Sequence, residues 1–225
     1  MQPSGFLLID KPTGWTSHDV VAKLRRITGI KKIGHGGTLD PLATGLLVVG
    51  IGAATKQLEQ FVQGDKTYLA TVRLGASSDT DDAEGVLRPH PGAAEPPRHA
   101  VEQTLGSFMG EQQQLPPVYS ALKTAGKKHY QLARAGKAVV RTPRTITIHR
   151  IGLISYTWPD IEFRCSVSKG TYIRSIARDL GDKLGTGGYL TELRRVSVGP
   201  CAVDDAAPMD EVAKNWRERL IALAN

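Results

Sequence analysis

A chain of 225 residues, 40% hydrophobic and 23% charged, can build one sizeable core or two closely merged halves, with the ordinary balance of a soluble globular protein. No apolar run is long enough to cross a bilayer as a helix, and the opening MQPSGFLLIDKPTGW meets Asp10 and Lys11 too soon for a signal peptide, so the cytoplasm is the expected location. The formal net charge of +7 argues for a polyanionic partner; two cysteines, Cys165 and Cys201, outside any CxxC pair, exclude a disulfide framework and read as buried small residues.

In chain order, FLLID predicts a short apolar strand closed by KPTGW. Thr16, with Asp19 three residues on, has the spacing of a capping box. The helix it starts carries Val20, Val21, Leu24 and Ile27 on its inner face and is closed by Gly29. A basic cluster, Lys23, Arg25, Arg26, Lys31 and Lys32, accompanies that helix and its exit. Next comes GHGGTLDPLATG, which sets Asp40 among Gly34, Gly36, Gly37 and Gly45 and directly before Pro41. GLLVVGIG then predicts a buried strand, and TKQLEQFVQG a short helix with Leu58, Phe61 and Val62 inward. KTYLATVRLG alternates with period two, placing Tyr68, Ala70, Val72 and Leu74 on one face and Lys66, Thr67, Leu69, Thr71 and Arg73 around the other.

SSDTDDAEG reads as an acidic, turn-rich loop, and the proline-rich LRPHPGAAEPPRH as an exposed connection. A helix is expected near Ala100 to Phe108, an extended LPPVYSALK, and a basic helix from about Lys127 to Ala135. RTITIHRIGLISYTW and IEFRCSVS predict a hairpin about Pro159 and Asp160. TYIRSIARDLGDKLG predicts a helix with Ile173, Ile176, Ala177, Leu180 and Leu184 inward and Arg174 and Arg178 on another side. YLTELRRVSVG predicts a last strand before an amphipathic helix near Met209 to Ala224. Strands and helices mix without steady βαβ alternation, so the expected class is α+β, with a mixed, mostly antiparallel sheet flanked by helices.

From Gln112 to Pro159 there is no acid, yet Lys123, Lys127, Lys128, Arg134, Lys137, Arg141, Arg144 and Arg150 fall there. Tyr119, His129 and Tyr130 are interleaved and offer flat groups for stacking on bases. A segment of about 112–150 is therefore the expected nucleic-acid contact, against the plainer reading of a solvated basic face. A membrane surface is disfavoured, because no amphipathic helix pairs a basic face with exposed bulky apolar residues.

Three patterns mislead. GIGAATK lacks the full spacing of a phosphate-binding glycine loop and reads as a strand-to-helix turn. Asp79, Asp81 and Asp82 suggest a metal site, but no matching acid completes a calcium loop. His35, Ser17 and His18 near Asp40 evoke a hydrolase triad, without the GxSxG elbow that would expose a nucleophile.

Asp40 itself admits two readings. Pro41 biases it toward extended backbone, and the glycines allow tight turning and close ligand approach, which together would aim a carboxylate into a cleft. An Asx-turn feeding the following strand explains the same residues.

The motifs LLIDKPTGWTSHDVV, KKIGHGGTLDPLATGLLVVGIGAATK, KTYLATVRLG, SSDTDDAEG, LPPVYSALKTAGKKHYQLAR, VSKGTYIRSIARDLG and LTELRR, in this order, resemble those of the bacterial tRNA pseudouridine-55 synthases, the TruB family. The resemblance covers about residues 5 to 200 and implies the pseudouridine-synthase fold, with a cleft across its sheet. It implies isomerisation of one uridine in the tRNA T-loop, without cofactor or metal and without a membrane; a monomer is expected. Residues 1–200 would form the catalytic domain, with 112–150 as its RNA-binding segment, and 201–225 a helical extension in place of a full PUA-like domain.

Carried over by motif, Asp40 is the catalytic aspartate, Arg174 its paired arginine, which would favour its ionised form, and Tyr172 the active-site tyrosine assisting removal of the C5 proton. Tyr68 packs on the target base, Leu193 lines its pocket, His35 fills the space the flipped base vacates, and Lys11 with Pro12 supports the loop. The chain departs from the family at Gly36, where threonine is frequent; a slightly looser loop is expected there. Two other functions compete: a tRNA-binding or folding helper without chemistry, and a metal-dependent phosphohydrolase using the DTDD loop.

Overall fold

The first helix begins and ends where its capping residues place it. In the computed structural model, which describes residues 3–120, 123–124, 127–128, 135 and 139–221, α1 spans Ser17–Thr28. Thr16 and Asp19 form the reciprocal capping box, and Gly29 closes the helix in the left-handed conformation. Val20, Val21 and Leu24 are buried, and Ile27 is half-buried.

The chain divides into two compact units, 1–69 with 193–225, and 70–192. In the first, strand β1 (Gly5–Lys11) pairs antiparallel with β3 (Thr44–Ile51) along its full length, from Gly5↔Ile51 to Lys11↔Gly45. The short β2 (Ile33–His35) adds antiparallel to β3, with His35 opposite Val49. A six-residue 3-10 helix, Gly52–Gln57, and α2 (Glu59–Gln63) follow, so GIGAATK is the expected strand-to-helix turn.

β4 (Lys66–Leu74) leaves this unit at Leu69, and β12 (Gly188–Val198) re-enters it at Leu193. β12 pairs in parallel with β3 through Arg194↔Thr44 and Arg195↔Gly45. The last described residues return to β1: β14 (Ala207–Pro208) pairs with it in parallel, α5 (Met209–Asn215) packs on it, and Ile221 bridges Phe6. Phe6, Leu46, Val48, Leu58, Phe61, Val198 and Cys201 form one core cluster here.

In the second unit the sheet order is β4-β11-β10-β7. β10 (Arg144–Thr157) and β11 (Asp160–Val167) make the predicted antiparallel hairpin about Trp158–Pro159, and β7 (Gly110–Gln114) pairs antiparallel with β10. Two helices lie with them, α3 (Arg98–Gly106) and α4 (Ile173–Leu184). β5 (Ala76–Ser78) and β6 (Leu87–Pro89) form a separate small ladder. The architecture is α+β with a mixed, mostly antiparallel sheet.

Several expectations change. Val62 is 38% exposed, because α2 has a single turn to bury and Phe61 takes the inward position. Lys66 lies buried on the face of Tyr68 and Ala70, its Nζ donating to Val62 O at 2.6 Å and Gly64 O at 2.5 Å; alternation itself puts it on that face, and carbonyls at the end of α2 satisfy the ammonium expected outside. Lys127–Lys128 form strand β9, paired with β8 (Lys123–Thr124), where a basic helix was expected to begin; residues 129–134 lie outside the described set. LRPHPGAAEPPRH is exposed as expected, apart from buried Pro96, but its first residues form β6. The closing helix ends at Asn215, and 222–225 lie outside the described set. Cys165 and Cys201 are buried, and burial pushes the Cys165 thiol up to about 12.

Gly45 has a φ of +96°, and a Cβ there would sit 2.3 Å from the carbonyl oxygen of Arg195 on the neighbouring strand. Backbone cannot yield as a flexible side chain can. Gly45→Ala is expected to lower the unfolding free energy by about 3 kcal/mol or more, measured by urea denaturation. A loss under about 1 kcal/mol would show that the β3–β12 pair relaxes around the added carbon.

Candidate active site

Asp40 begins a four-residue turn in the first unit. The amide of Ala43 donates to the carbonyl of Asp40 at 3.1 Å, with Pro41 at the second position, where its fixed φ suits the turn. The flanking backbone is tied to the segment after β1. Gly14 N donates to Pro41 O at 2.8 Å, and Thr13 Oγ1 reaches Leu42 O at 3.4 Å. Lys11, 0% exposed, donates from Nζ to Pro12 O at 2.8 Å, Trp15 O at 2.5 Å and Pro41 O at 3.4 Å. Before the turn, Ser17 Oγ accepts from Leu39 N at 2.8 Å and donates to Leu39 O at 3.2 Å. Several carbonyls and amides of a loop without regular structure are therefore met by specific partners.

The other wall of the loop is Arg195, 1% exposed. Its Nε donates to Leu46 O at 2.8 Å and Nη2 to Gly37 O at 3.1 Å. His35 lies in β2 just before the loop, and its buried Nδ1 has no hydrogen-bond partner among the described residues. Burial first, then the positive charges of Arg195 and His18, hold its imidazole below the ordinary value of 6.5. Gly36 is tightly packed, contrary to the looseness expected of it: a Cβ would lie 2.8 Å from Phe61 Cβ, and its amide donates to Val48 O at 2.8 Å. Leu193, buried on β12, accepts Thr44 Oγ1 at its carbonyl at 3.4 Å, close after the turn; Tyr68 is buried on β4. Lys11, His35, Asp40, Tyr68 and Leu193 thus share the first unit.

Tyr172 and Arg174 belong to the second unit, at the start of α4. The buried Gln114 holds Tyr172 by both backbone groups, accepting from its amide at 2.8 Å and donating to its carbonyl at 3.0 Å. Arg174 is buried, not on an exposed helix face: Nη1 donates to Thr80 O and Nη2 to Tyr119 O, each at 2.9 Å, and Asp82 Oδ2 lies 3.4 Å from Nη1. One turn on, Arg178 pairs with Asp81 at 2.8 Å and donates to Leu115 O at 3.0 Å. Asp81 has a φ of 63°, and its burial raises its carboxyl against the opposing pull of Arg178, Arg174 and Arg141.

The acidic loop set aside as a metal lookalike thus supplies counter-ions to α4. Among the described residues no group of three His, Cys, Asp or Glu side chains is arranged to hold a metal ion. The sequence reading met Asp82 and Ser17 only as parts of misleading patterns, and Gln114 and Arg195 escaped it. The i, i+4 spacing of Arg174 and Arg178 opposite a run of three nearby aspartates was the one available signal for the first.

Solved structures sharing this fold include a crystal structure of a Cbf5-Nop10-Gar1 complex, 30% identical with a TM-score of 0.75 over 94% of this chain and 54% of that one. Another is an H/ACA RNP bound to a substrate RNA containing 2'-deoxyuridine, 28% identical with a TM-score of 0.72 over 94% and 53%. The chain thus spans about half the length of those solved chains. The class so defined is RNA pseudouridine synthase, an isomerase. The family model described as TruB family pseudouridylate synthase (N terminal domain) matches residues 25–173, and that of the tRNA pseudouridylate synthase B C-terminal domain matches 174–222. The tRNA pseudouridine synthase B of Thermobifida fusca (strain YX) is 46% identical over 94% of this chain and 75% of its own length. That of Burkholderia pseudomallei (strain 668) is 48% identical over 92% and 68%. This chain belongs to the TruB family of pseudouridylate synthases.

Two outcomes follow from the loop. Because the folded state binds a proton at His35 less readily than the unfolded state, stability is lost as the pH falls below 6.5. Urea midpoints between pH 7.5 and 5 are expected to fall less steeply for His35→Gln than for the parent chain; parallel profiles would show that His35 does not carry the effect. Lys11→Met leaves the carbonyls of Pro12, Trp15 and Pro41 without their ammonium, so a loss of about 1–3 kcal/mol in unfolding free energy is expected by the same assay.

Proposed function

We propose that this chain converts one T-loop uridine of tRNA to pseudouridine, acting as a monomer in the cytoplasm. The observation that carries the reading is the Asp40 turn, with its backbone held by Lys11, Gly14 and Ser17, in a chain of the TruB family. The N1–C1′ bond of the uridine breaks, the uracil turns, and a C5–C1′ bond forms. C5 gives up its proton and N1 gains one, so the product is an isomer and no oxidant or reductant is consumed.

Asp40 acts at the sugar or the base, either as the nucleophile or as the base that takes a ribose proton. Arg174 serves as its cationic partner and stabilises the charge of the departing uracil; Tyr172 assists removal of the C5 proton. Tyr68 and Leu193 hold the detached ring so that it turns instead of escaping. The target nucleotide is swung out of its stack, and His35 fills the space it leaves. Neutral imidazole suits that position, since burial and Arg195 already disfavour the charged form. The acid-free segment 112–150 grips the phosphates beside the loop, so affinity falls with salt.

The test is Asp40→Asn on an unmodified tRNA transcript, with pseudouridine mapped along it. The expected result is no detectable product with tRNA affinity within about threefold of the parent chain, since the substitution removes the reacting charge and leaves the cationic surface intact. Product at the parental rate would overturn the role of Asp40. A parent chain that binds tRNA yet forms no pseudouridine would favour a tRNA-folding helper.

A further inference from the structure

The C-terminal end of α1 carries a charge cluster that the active site does not use. From Val20 to Leu39 there is no Asp or Glu, while Lys23, Arg25, Arg26, Lys31 and Lys32 all fall within it. Arg25 is occupied, its Nη2 donating to Ile33 O at 2.9 Å. The side chains of Lys23, Arg26, Lys31 and Lys32 make no hydrogen bond or ion pair with any described residue, and all but the half-buried Lys23 are exposed. Some other surface arginines are neutralised in place: Arg73 by Asp160, Arg98 by Glu102, Arg194 by Asp10 and Arg219 by Glu211.

Helix-dipole complementarity accounts for Arg26 in the last turn. It does not account for Lys31 and Lys32, which lie beyond the closing Gly29. Four unneutralised cations on one short stretch repel one another, and a polyanion laid across them relieves that repulsion.

The cluster is also fixed in place relative to the Asp40 turn, within one unit. Ser17, the first residue of α1, is bonded twice to Leu39, and the helix runs twelve residues from there, about 18 Å. From Lys31 and Lys32 the chain goes straight into β2 and so to His35. Both connections are short, so a strand seated at Asp40 meets the cluster within about one length of α1.

We propose that Lys23, Arg26, Lys31 and Lys32 form a second phosphate-contacting surface, which grips the sugar–phosphate backbone of the substrate RNA several nucleotides from the extruded uridine. It rests on the reading that the substrate is tRNA, and adds a contact outside the site and outside segment 112–150. Its role is affinity and register rather than chemistry, because ammonium and guanidinium groups at that distance cannot reach the reacting bond.

The test replaces all four with Gln in the full chain and measures the dissociation constant of an unmodified tRNA transcript from 50 to 300 mM salt, with single-turnover pseudouridine formation at saturating RNA. The expected outcome is affinity about tenfold or more weaker, and a slope of log K against log salt shallower by about 3. The saturated rate and the urea midpoint stay within error. Unchanged affinity and slope would overturn the proposal. So would a lower saturated rate with unchanged affinity, which would mark a role in positioning the loop. Loss of binding to phosphatidylglycerol vesicles with tRNA affinity intact would assign the surface to lipid and overturn it as well. If the parent chain makes no pseudouridine, the functional reading fails by itself, while the salt slopes still decide this one.

Discussion

A single carboxylate at the end of a short turn can serve a reaction only if the turn does not move. Here the constraint is met by backbone hydrogen bonds rather than by regular structure. The carbonyls of Leu39, Pro41 and Leu42 accept from Ser17, from Gly14 with Lys11, and from Thr13, so the stretch between β1 and α1 serves as a mould for the Asp40 loop. The buried ammonium of Lys11 is the centre of that mould. Its desolvation is tolerated because at least three carbonyl oxygens surround it, and those carbonyls belong to both segments that must stay together.

Buried cations recur as the joining device. Arg195 fastens the glycine side of the loop to β3 through two carbonyls, and its charge adds to burial in disfavouring protonation of His35. In the other unit Arg174 and Arg178 bind carbonyls of Thr80, Tyr119 and Leu115 and the carboxylates of Asp82 and Asp81. Guanidinium suits this work: its planar fork reaches several acceptors at once, and it stays charged when buried. The strained backbone of Asp81, at a φ of 63°, persists because its side chain is held by Arg178. The same residue type therefore builds the scaffold and stands in the proposed chemistry, and burial with partners separates those roles from the cations Lys23, Arg26, Lys31 and Lys32 in and just beyond α1.

Much of the site was legible because it depends on local chemistry. Pro41 and the glycines marked a tight turn, the Thr16–Asp19 spacing marked the helix start, and period-two alternation put Tyr68 on a buried face; each of these is settled by residues a few positions apart. Where the reading failed, a packing or charge-pairing contact had decided the outcome. Lys66 was assigned outward although it shares the phase of Tyr68, and it is buried because carbonyls at the end of α2 satisfy its ammonium. Gly36 was read as a looser point, and it is packed against Phe61, a residue from a different element.

From its residues alone, then, this chain declares its α+β class, its family and the turn that carries Asp40, because capping, turn formation and strand alternation are decided by near neighbours along the chain. Only the tertiary structure could show what steadies that turn and which acids answer the arginines. Ser17 with Leu39, Arg195 with Gly37, and Arg174 with Asp82 are joined by hydrogen bonds and charge across 22, 158 and 92 positions of chain, and no local pattern encodes such pairings.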